Sequence, residues 1–135
     1  MALAYLLDTN VLSDLVRNPR GRVAARIAEV GESAVCTSVV VAAELRYGAA
    51  RAGSARLAER VALVLAALDV LPLEAPADVH YGDIRSQLAA RGTPIGPNDL
   101  FIAAHARALG LTVVTANRGE FERVPGLAID DWLGA

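Results

Sequence analysis

Four short segments carry acidic or amide side chains in places where an apolar chain has little structural use for them. Asp8 closes the apolar run Leu3–Leu7 in LLDTN, Glu44 lies inside VVVAAELRYG, Asp99 opens a helix in PIGPNDLFIAA, and Asn117 and Glu120 follow a strand in TANRGEF. Each has an ordinary use when taken alone. An Asp after a strand caps or turns the chain, the dipole of a helix favours an Asp in its first turn, and Asn117 and Glu120 suit a turn and a solvated charge. Glu44 is harder to explain that way. It is flanked by Val40, Val41, Ala43 and Leu45, its nearest cation Arg46 points to another face of the helix, and a buried carboxylate without a partner is costly. Brought together, such groups repel one another until protons or a cation neutralise them. No His or Cys accompanies them, and His80 and His105 sit mid-helix among apolar residues, as packed or surface imidazoles do. An all-oxygen set with an amide is the ligand chemistry of Mg²⁺, with Mn²⁺ as the alternative. That chemistry hydrolyses phosphodiesters, because the ion activates water and offsets charge on the phosphate and the leaving oxygen.

The elements that must position these residues alternate between strand and helix. Strands are expected at Leu3–Leu7, Ala34–Cys36, Val70–Leu71 and Leu111–Val114, with a last edge strand at Leu127–Ile129. Helices are expected at Asn10–Val16, Gly21–Val30, Val39–Ala52 (capped by Thr37 or Ser38), Ala55–Leu68, Pro76–Ala90 and Asn98–Leu109, the last closed by Gly110. Thr115 to Gly119 reads as a polar turn, and Gly92 to Pro97 as the clearest loop. With no hairpin signal or repeat, this order implies a central parallel β-sheet flanked by helices in one α/β domain spanning residues 1–135. Ligands of open parallel sheets bind at the carboxyl ends of the strands, and that is the edge to which the acids belong.

Composition narrows the chemistry further. The 135 residues are 54% hydrophobic and 4% aromatic, so the core is built from Ala, Val, Leu and Ile. A single cysteine, Cys36, fits a reducing compartment. The longest apolar run, Val61–Leu68, is far short of the roughly 20 residues of a membrane span, and the first residues lack a basic n-region. A cytoplasmic protein without a membrane partner is expected. All 13 basic residues are arginine. Without lysine there is no P-loop, no Schiff base and no ordinary phosphoaspartate chemistry, and the dinucleotide GxGxxG is missing as well. The net charge of −2 argues against a broad electrostatic hold on nucleic acid.

The segments LLDTNVLSDL, TSVVVAAELRYGA, GTPIGPNDLFIAAHARALGLTVVTAN and GEFERVPGLAIDDW resemble, in order and spacing, the PIN-domain ribonucleases, and among them the VapC toxins of bacterial toxin–antitoxin pairs. The resemblance runs from Leu3 to Leu133. It implies a three-layer PIN-like α/β fold with an acidic metal pocket, and an endoribonuclease that cuts RNA on a divalent ion. Asp8, Glu44 and Asp99 match the acidic triad, and Thr9 and Asn10 match residues that shape the pocket. Many relatives have an aspartate where this chain has Asn117. Either Asn117 contributes its carbonyl oxygen or Glu120 reaches in from the next turn, and a single ion at rest is expected.

In these roles Asp8 and Asp99 bind the principal ion, Glu44 is a ligand or the base orienting the attacking water, and Thr115 hydrogen-bonds a carboxylate or the phosphate. The products then carry a 5′-phosphate and a 3′-hydroxyl. The resemblance also implies a homodimer and a cognate antitoxin that covers the acidic pocket. RNA contacts are expected from Arg17, Arg20, Arg22 and Arg26, four arginines without an acid among them, and Arg46, Arg51, Arg56 and Arg60 form a second cluster. The competing reading is a catalytically weak PIN domain that binds RNA or protein, and Asn117 is the residue that keeps it open.

Overall fold

The computed structural model describes residues 2–134; the first and last residues of the expected 1–135 domain lie outside the described residues. Five parallel strands form one sheet in the order β3-β2-β1-β4-β5: β1 (Tyr5–Leu7), β2 (Val35–Ser38), β3 (Asp69–Leu71), β4 (Thr112–Val114) and β5 (Ile129–Asp130). Among the described residues seven α-helices connect them: α1 (Thr9–Arg17), α2 (Arg22–Val30), α3 (Val39–Ala52), α4 (Ala55–Ala66), α5 (Ala77–Ala90), α6 (Pro97–Leu109) and α7 (Arg118–Phe121).

The topology decides the layers. The chain steps outward from β1 to β2 to β3, then crosses back to β4 and β5. Right-handed crossovers therefore put α1–α4 on one face and α5–α7 on the other. The packing agrees, with α1 against α2, α3 and α4, and α6 against α5 and α7. Strand order reverses between β1 and β4, and the gap at the carboxyl ends of those two strands is where such sheets bind ligands.

The core is aliphatic, as the composition requires. Leu6 and Leu7 of β1, Val113 and Val114 of β4, Val11 and Leu12 of α1 and Ile102 of α6 are fully buried. Helix α6 is buried on almost every side, since Ala103, Ala104 and Ala106 let its neighbours approach closely. Side chains start the helices at the site edge: Asp8 Oδ1 accepts from Thr9 N–H at 2.7 Å, and Ser38 Oγ accepts from Val40 N–H at 3.1 Å. Gly110, at φ 68°, supplies the left-handed residue that closes α6.

Several boundaries differ from expectation. Strand β2 runs on to Ser38, because Thr37 and Ser38 are buried and pair with Val70 and Leu71 of β3. The cap of α3 is thus Ser38, while Thr37 Oγ1 donates to the Leu7 carbonyl at 2.7 Å. Strand β1 begins at Tyr5 rather than Leu3, α4 ends at Ala66, and the edge strand is displaced to Ile129–Asp130. The expected polar turn leads into α7, which brings Phe121 into the core, and a 3-10 turn at Glu32–Ala34 precedes β2. Among the described residues no helix is long and apolar enough to cross a membrane.

Candidate active site

Asp8 is 3% exposed and directly follows β1; its backbone N–H continues the ladder to the Val114 carbonyl at 2.9 Å. Two donors hold its carboxylate, Thr9 N–H on Oδ1 and Thr115 Oγ1–H on Oδ2, each at 2.7 Å. Thr115 follows β4 and is fully buried. The switch point thus joins the two strand ends through one side-chain hydrogen bond. Burial pushes the Asp8 pKa up, the Thr115 and Thr9 hydrogen bonds pull it down, and the charges of Glu44 and Glu120 push it up again.

Glu44 reaches the same place from α3. Its Oε1 accepts from Thr9 Oγ1–H at 2.6 Å and its Oε2 from Asn98 Nδ2–H at 3.2 Å. Thr9 therefore touches two acids, Asp8 by its backbone and Glu44 by its hydroxyl. Asp99 comes from the first turn of α6, and its Oδ2 accepts from Asn117 Nδ2–H at 3.1 Å. The same amide nitrogen donates to Glu120 Oε2 at 2.9 Å, and Gly96 N–H donates to Glu120 Oε1 at 3.3 Å. Asn117 turns its amide nitrogen, not its carbonyl, toward the acids. Glu120 enters from α7, the helix that replaces the expected turn.

The electrostatics are those of a crowded anionic cluster. Asp99 is pushed up to about 8 by burial, by its hydrogen bond to Glu120 and by the charges of Asp8, Glu120 and Glu44. Glu120 moves the opposite way, lowered first by that hydrogen bond. A proton held on Asp99 and shared with Glu120 thus neutralises part of the cluster. Among the described residues no three His, Cys, Asp or Glu side chains stand in a geometry that could hold a metal ion. The acids converge, with oxygens turned toward Thr9, Thr115, Asn98 and Asn117. The donor set fits a hard divalent cation: it is oxygen only and anionic, and its like charges repel one another until a cation or protons offset them.

The remaining residues are less evenly placed. Asn10 is exposed on α1, and its side chain makes no hydrogen bond among the described residues. Arg17 and Arg20 are exposed and make no ion pair among the described residues, as are Arg46, Arg51, Arg56 and Arg60 of the second cluster. Arg22 donates to the Leu133 carbonyl at 3.2 Å. Arg26, expected with them as an RNA contact, is held within the fold: it pairs with Glu29 at 2.8 Å and Asp130 at 3.7 Å and lies 5.4 Å from the Trp132 ring centre. Those partners, from its own helix, from β5 and from the segment after it, occupy its guanidinium.

His105 is buried, with Nδ1 2.8 Å from Ser38 Oγ. His80 accepts from Arg107 Nε–H at 2.8 Å. Neither imidazole joins the acids. Asn98 is the contributor that sequence reasoning passed over, although its place beside Asp99 at a helix start was a usable signal.

A model of the PIN domain matches residues 5–127. The chain is 40% identical over 133 residues to a tRNA(fMet)-specific endonuclease VapC of Salmonella typhimurium, covering 96% of this chain and 98% of that one. It is 34% identical over 134 residues to Ribonuclease VapC2 of Haemophilus influenzae, covering 97% and 99%. Its structure is similar to that of DNA-bound VapBC from Salmonella typhimurium, with a TM-score of 0.86 at 40% identity over 96% of this chain and 98% of that one. It is also similar to VapBC2 from Rickettsia felis bound to a promoter DNA fragment, with a TM-score of 0.85 at 30% identity over 98% and 99%.

Proposed function

Because the chain belongs to the PIN-domain family, as a VapC-type endoribonuclease and the toxin of a toxin–antitoxin pair, we propose that it cuts RNA with a divalent cation, Mg²⁺ or Mn²⁺, held by Asp8, Asp99 and Glu44. One observation carries this reading: Asp8, Glu44, Asp99 and Glu120, from four segments distant in the chain, meet at the switch point and are held there by Thr9, Thr115, Asn98 and Asn117. When bound, the ion supplies a nucleophile from water and offsets charge on the phosphate.

The chain's own residues supply position. Thr115 and Thr9 N–H fix both oxygens of Asp8. Thr9 Oγ1 and Asn98 fix Glu44, whose carboxylate then takes a proton from the attacking water or joins the ligands. Glu120 supplies the fourth carboxylate that Asn117 lacks, and Asn117 steadies Glu120 and Asp99 with one amide nitrogen. This arrangement favours an enzyme over a binding module. The 3′ oxygen leaves, so the ends are a 5′-phosphate and a 3′-hydroxyl.

Structured RNA is the substrate in this reading. Initiator tRNA is the first to test, since a relative at 40% identity carries that specificity in its name. Arg17, Arg20 and Arg22 hold its backbone. The antitoxin partner follows from the VapBC complexes to which this fold is similar, and we assign it to cover the acidic edge. Val41, Val61 and Leu65 enter the core, but Leu63 stays 72% exposed beside an apolar groove between α2 and α4 that suits such a partner. A second copy of the chain is placed on α5–α6, where Tyr81 and exposed Phe101 stack at 4.7 Å. The cytoplasm, where RNA is available, is the assigned location.

The test is purified protein with tRNA and Mg²⁺, with and without EDTA, beside Asp8→Asn. Cutting that stops in EDTA and in the variant, and that leaves 5′-phosphates, is expected. Cutting that survives either treatment, or that leaves cyclic phosphates, overturns the metal mechanism.

A further inference from the structure

A cleft of about 350 Å³ opens from the acidic site between α1, α3 and α4. Its inner end is the Thr9–Glu44 hydrogen bond at 2.6 Å, which belongs to the acid cluster. One wall is the face of α1 that carries Thr9, Ser13 and Arg17, spaced four residues apart and therefore aligned. The floor is apolar, from Val16, Leu45, Leu57 and Val61. Opposite α1 stands Gly48, one turn beyond Glu44, where an added Cβ would meet nothing within 4 Å. A glycine inside a helix is destabilising relative to alanine, and here it leaves the cleft open beside the acids.

The chemistry of the lining changes along its length. Glu44 makes the inner end anionic, and Arg17 is the only cation among the lining residues. Arg17 also borders a second concavity, of about 580 Å³, where Arg20 and Arg22 stand. A backbone leaving the acids through the cleft thus meets Arg17 first and then the other two guanidiniums. Thr9 and Arg17 are about 12 Å apart along the helix axis, and the arginine side chain leans back toward the helix N-terminus. The volume lies within the range of about 300–1,000 Å³ typical of small-molecule sites.

We infer that this cleft is a single-nucleotide subsite: it takes the nucleotide adjoining the scissile bond, with the base on the apolar floor, the sugar beside Ser13 and the outer phosphate on Arg17. The inference rests on the RNA-cutting reading above. Continuity with the acids, together with a polar wall ending in a cation, favours a nucleotide over an apolar side chain of a protein partner.

The test uses oligoribonucleotides that end at, or one and two nucleotides beyond, the cleavage site found with the wild-type protein, extended in turn on each side. In the wild type, adding the nucleotide that fills the cleft is expected to raise kcat/KM about tenfold or more, mainly through KM, as a hydrogen bond to a charged group implies. That long-to-short ratio collapses toward one in Gly48→Leu, which fills the cleft from an open helix face, and in Arg17→Ala. Arg17→Lys restores part of it. Thermal melts establish that Gly48→Leu is folded, and Arg17→Ala decides the matter if it is not. Ratios equal to wild type in the folded variants overturn the subsite. So does a Gly48→Leu that cuts every length normally but no longer binds the cognate antitoxin, since the cleft then belongs to a protein. If the wild type cuts no RNA at all, the RNA-cutting reading fails and takes this inference with it; unchanged ratios in an active enzyme remove the subsite alone.

Discussion

Replacing Asp99 with asparagine in metal-free protein should stabilise the fold, and the gain should grow with pH. In the wild type the Asp99 carboxyl is raised from 3.8 to about 8 by burial and by its acidic neighbours. An acid with a raised pKa binds its proton more tightly in the folded chain than in the unfolded one. Its contribution to stability is therefore present at low pH and is lost as pH rises from 3.8 to about 8. The unscreened limit is ~1.4 kcal/mol per pH unit inside that window; solvent screening of this half-buried carboxyl brings the loss to about 1–2 kcal/mol between pH 5 and pH 7. Glu120 does not offset it there, because its pKa is lowered from 4.5 and its change lies at more acid pH. His105 titrates in both proteins and cancels in the difference. Asparagine keeps a neutral group of similar shape between Asn117 and Glu120. Urea unfolding in EDTA at a series of pH values measures the gap between Asp99→Asn and wild type. It should widen by about 1–2 kcal/mol between pH 5 and pH 7, and Mg²⁺ at about 100 times its Kd should then stabilise the wild type by ~2.7 kcal/mol and the variant by less. A gap that stays constant or narrows with pH refutes the picture of a carboxyl held neutral by crowding.

Further outcomes follow from single contacts. Thr115→Val leaves the buried Asp8 Oδ2 without its donor and Asn117 N–H without its acceptor; it should cost about 1.5–3 kcal/mol in urea unfolding and lower kcat, with Thr115→Ser recovering most of both. Glu120→Gln removes the fourth carboxylate and should weaken Mg²⁺ binding about tenfold or more, read by calorimetry, whereas a Kd equal to wild type would show that Asn117 and Glu120 stand outside the ion's surroundings. His105 has its pKa lowered from 6.5 by burial. The unfolded chain therefore takes up this proton first, and stability should fall as pH drops below about 6.5, a slope that His105→Leu should flatten. Ile102→Ala, at a fully buried core position, should cost about 2–5 kcal/mol without moving the pH profile of cutting.

Much of the fold was legible because its signals are local. The run before Asp8, the cap before α3 and the glycine after Leu109 each state their element within a few residues. Helix α7 was not legible, since four residues are too few to show a period, and its burial of Phe121 depends on tertiary packing, with α6 among its neighbours. The continuation of β2 through Thr37 and Ser38 was equally hidden: two polar residues read as a cap until pairing with β3 buries them. Arg26 looked like its neighbours Arg17 and Arg20, and only the position of Trp132 and Asp130, distant in the chain, distinguishes it.

Residue types and order by themselves determined a parallel α/β sheet of aliphatic residues, an oxygen-only set of acids without lysine, zinc ligands or a phosphate loop, and the strand edge to which those acids belong. Periodicity, capping and ligand hardness are properties of the residues and need no partner to act. Which donor holds which oxygen was decided by the tertiary structure alone: Thr115 on Asp8, Thr9 on Glu44, Asn117 nitrogen-first between Asp99 and Glu120, and Gly48 leaving a cleft beside them. The Thr115 and Thr9 contacts join segments dozens of residues apart, and both their distances and the raised Asp99 pKa arise only when the sheet closes β1 onto β4 and brings like charges out of water together.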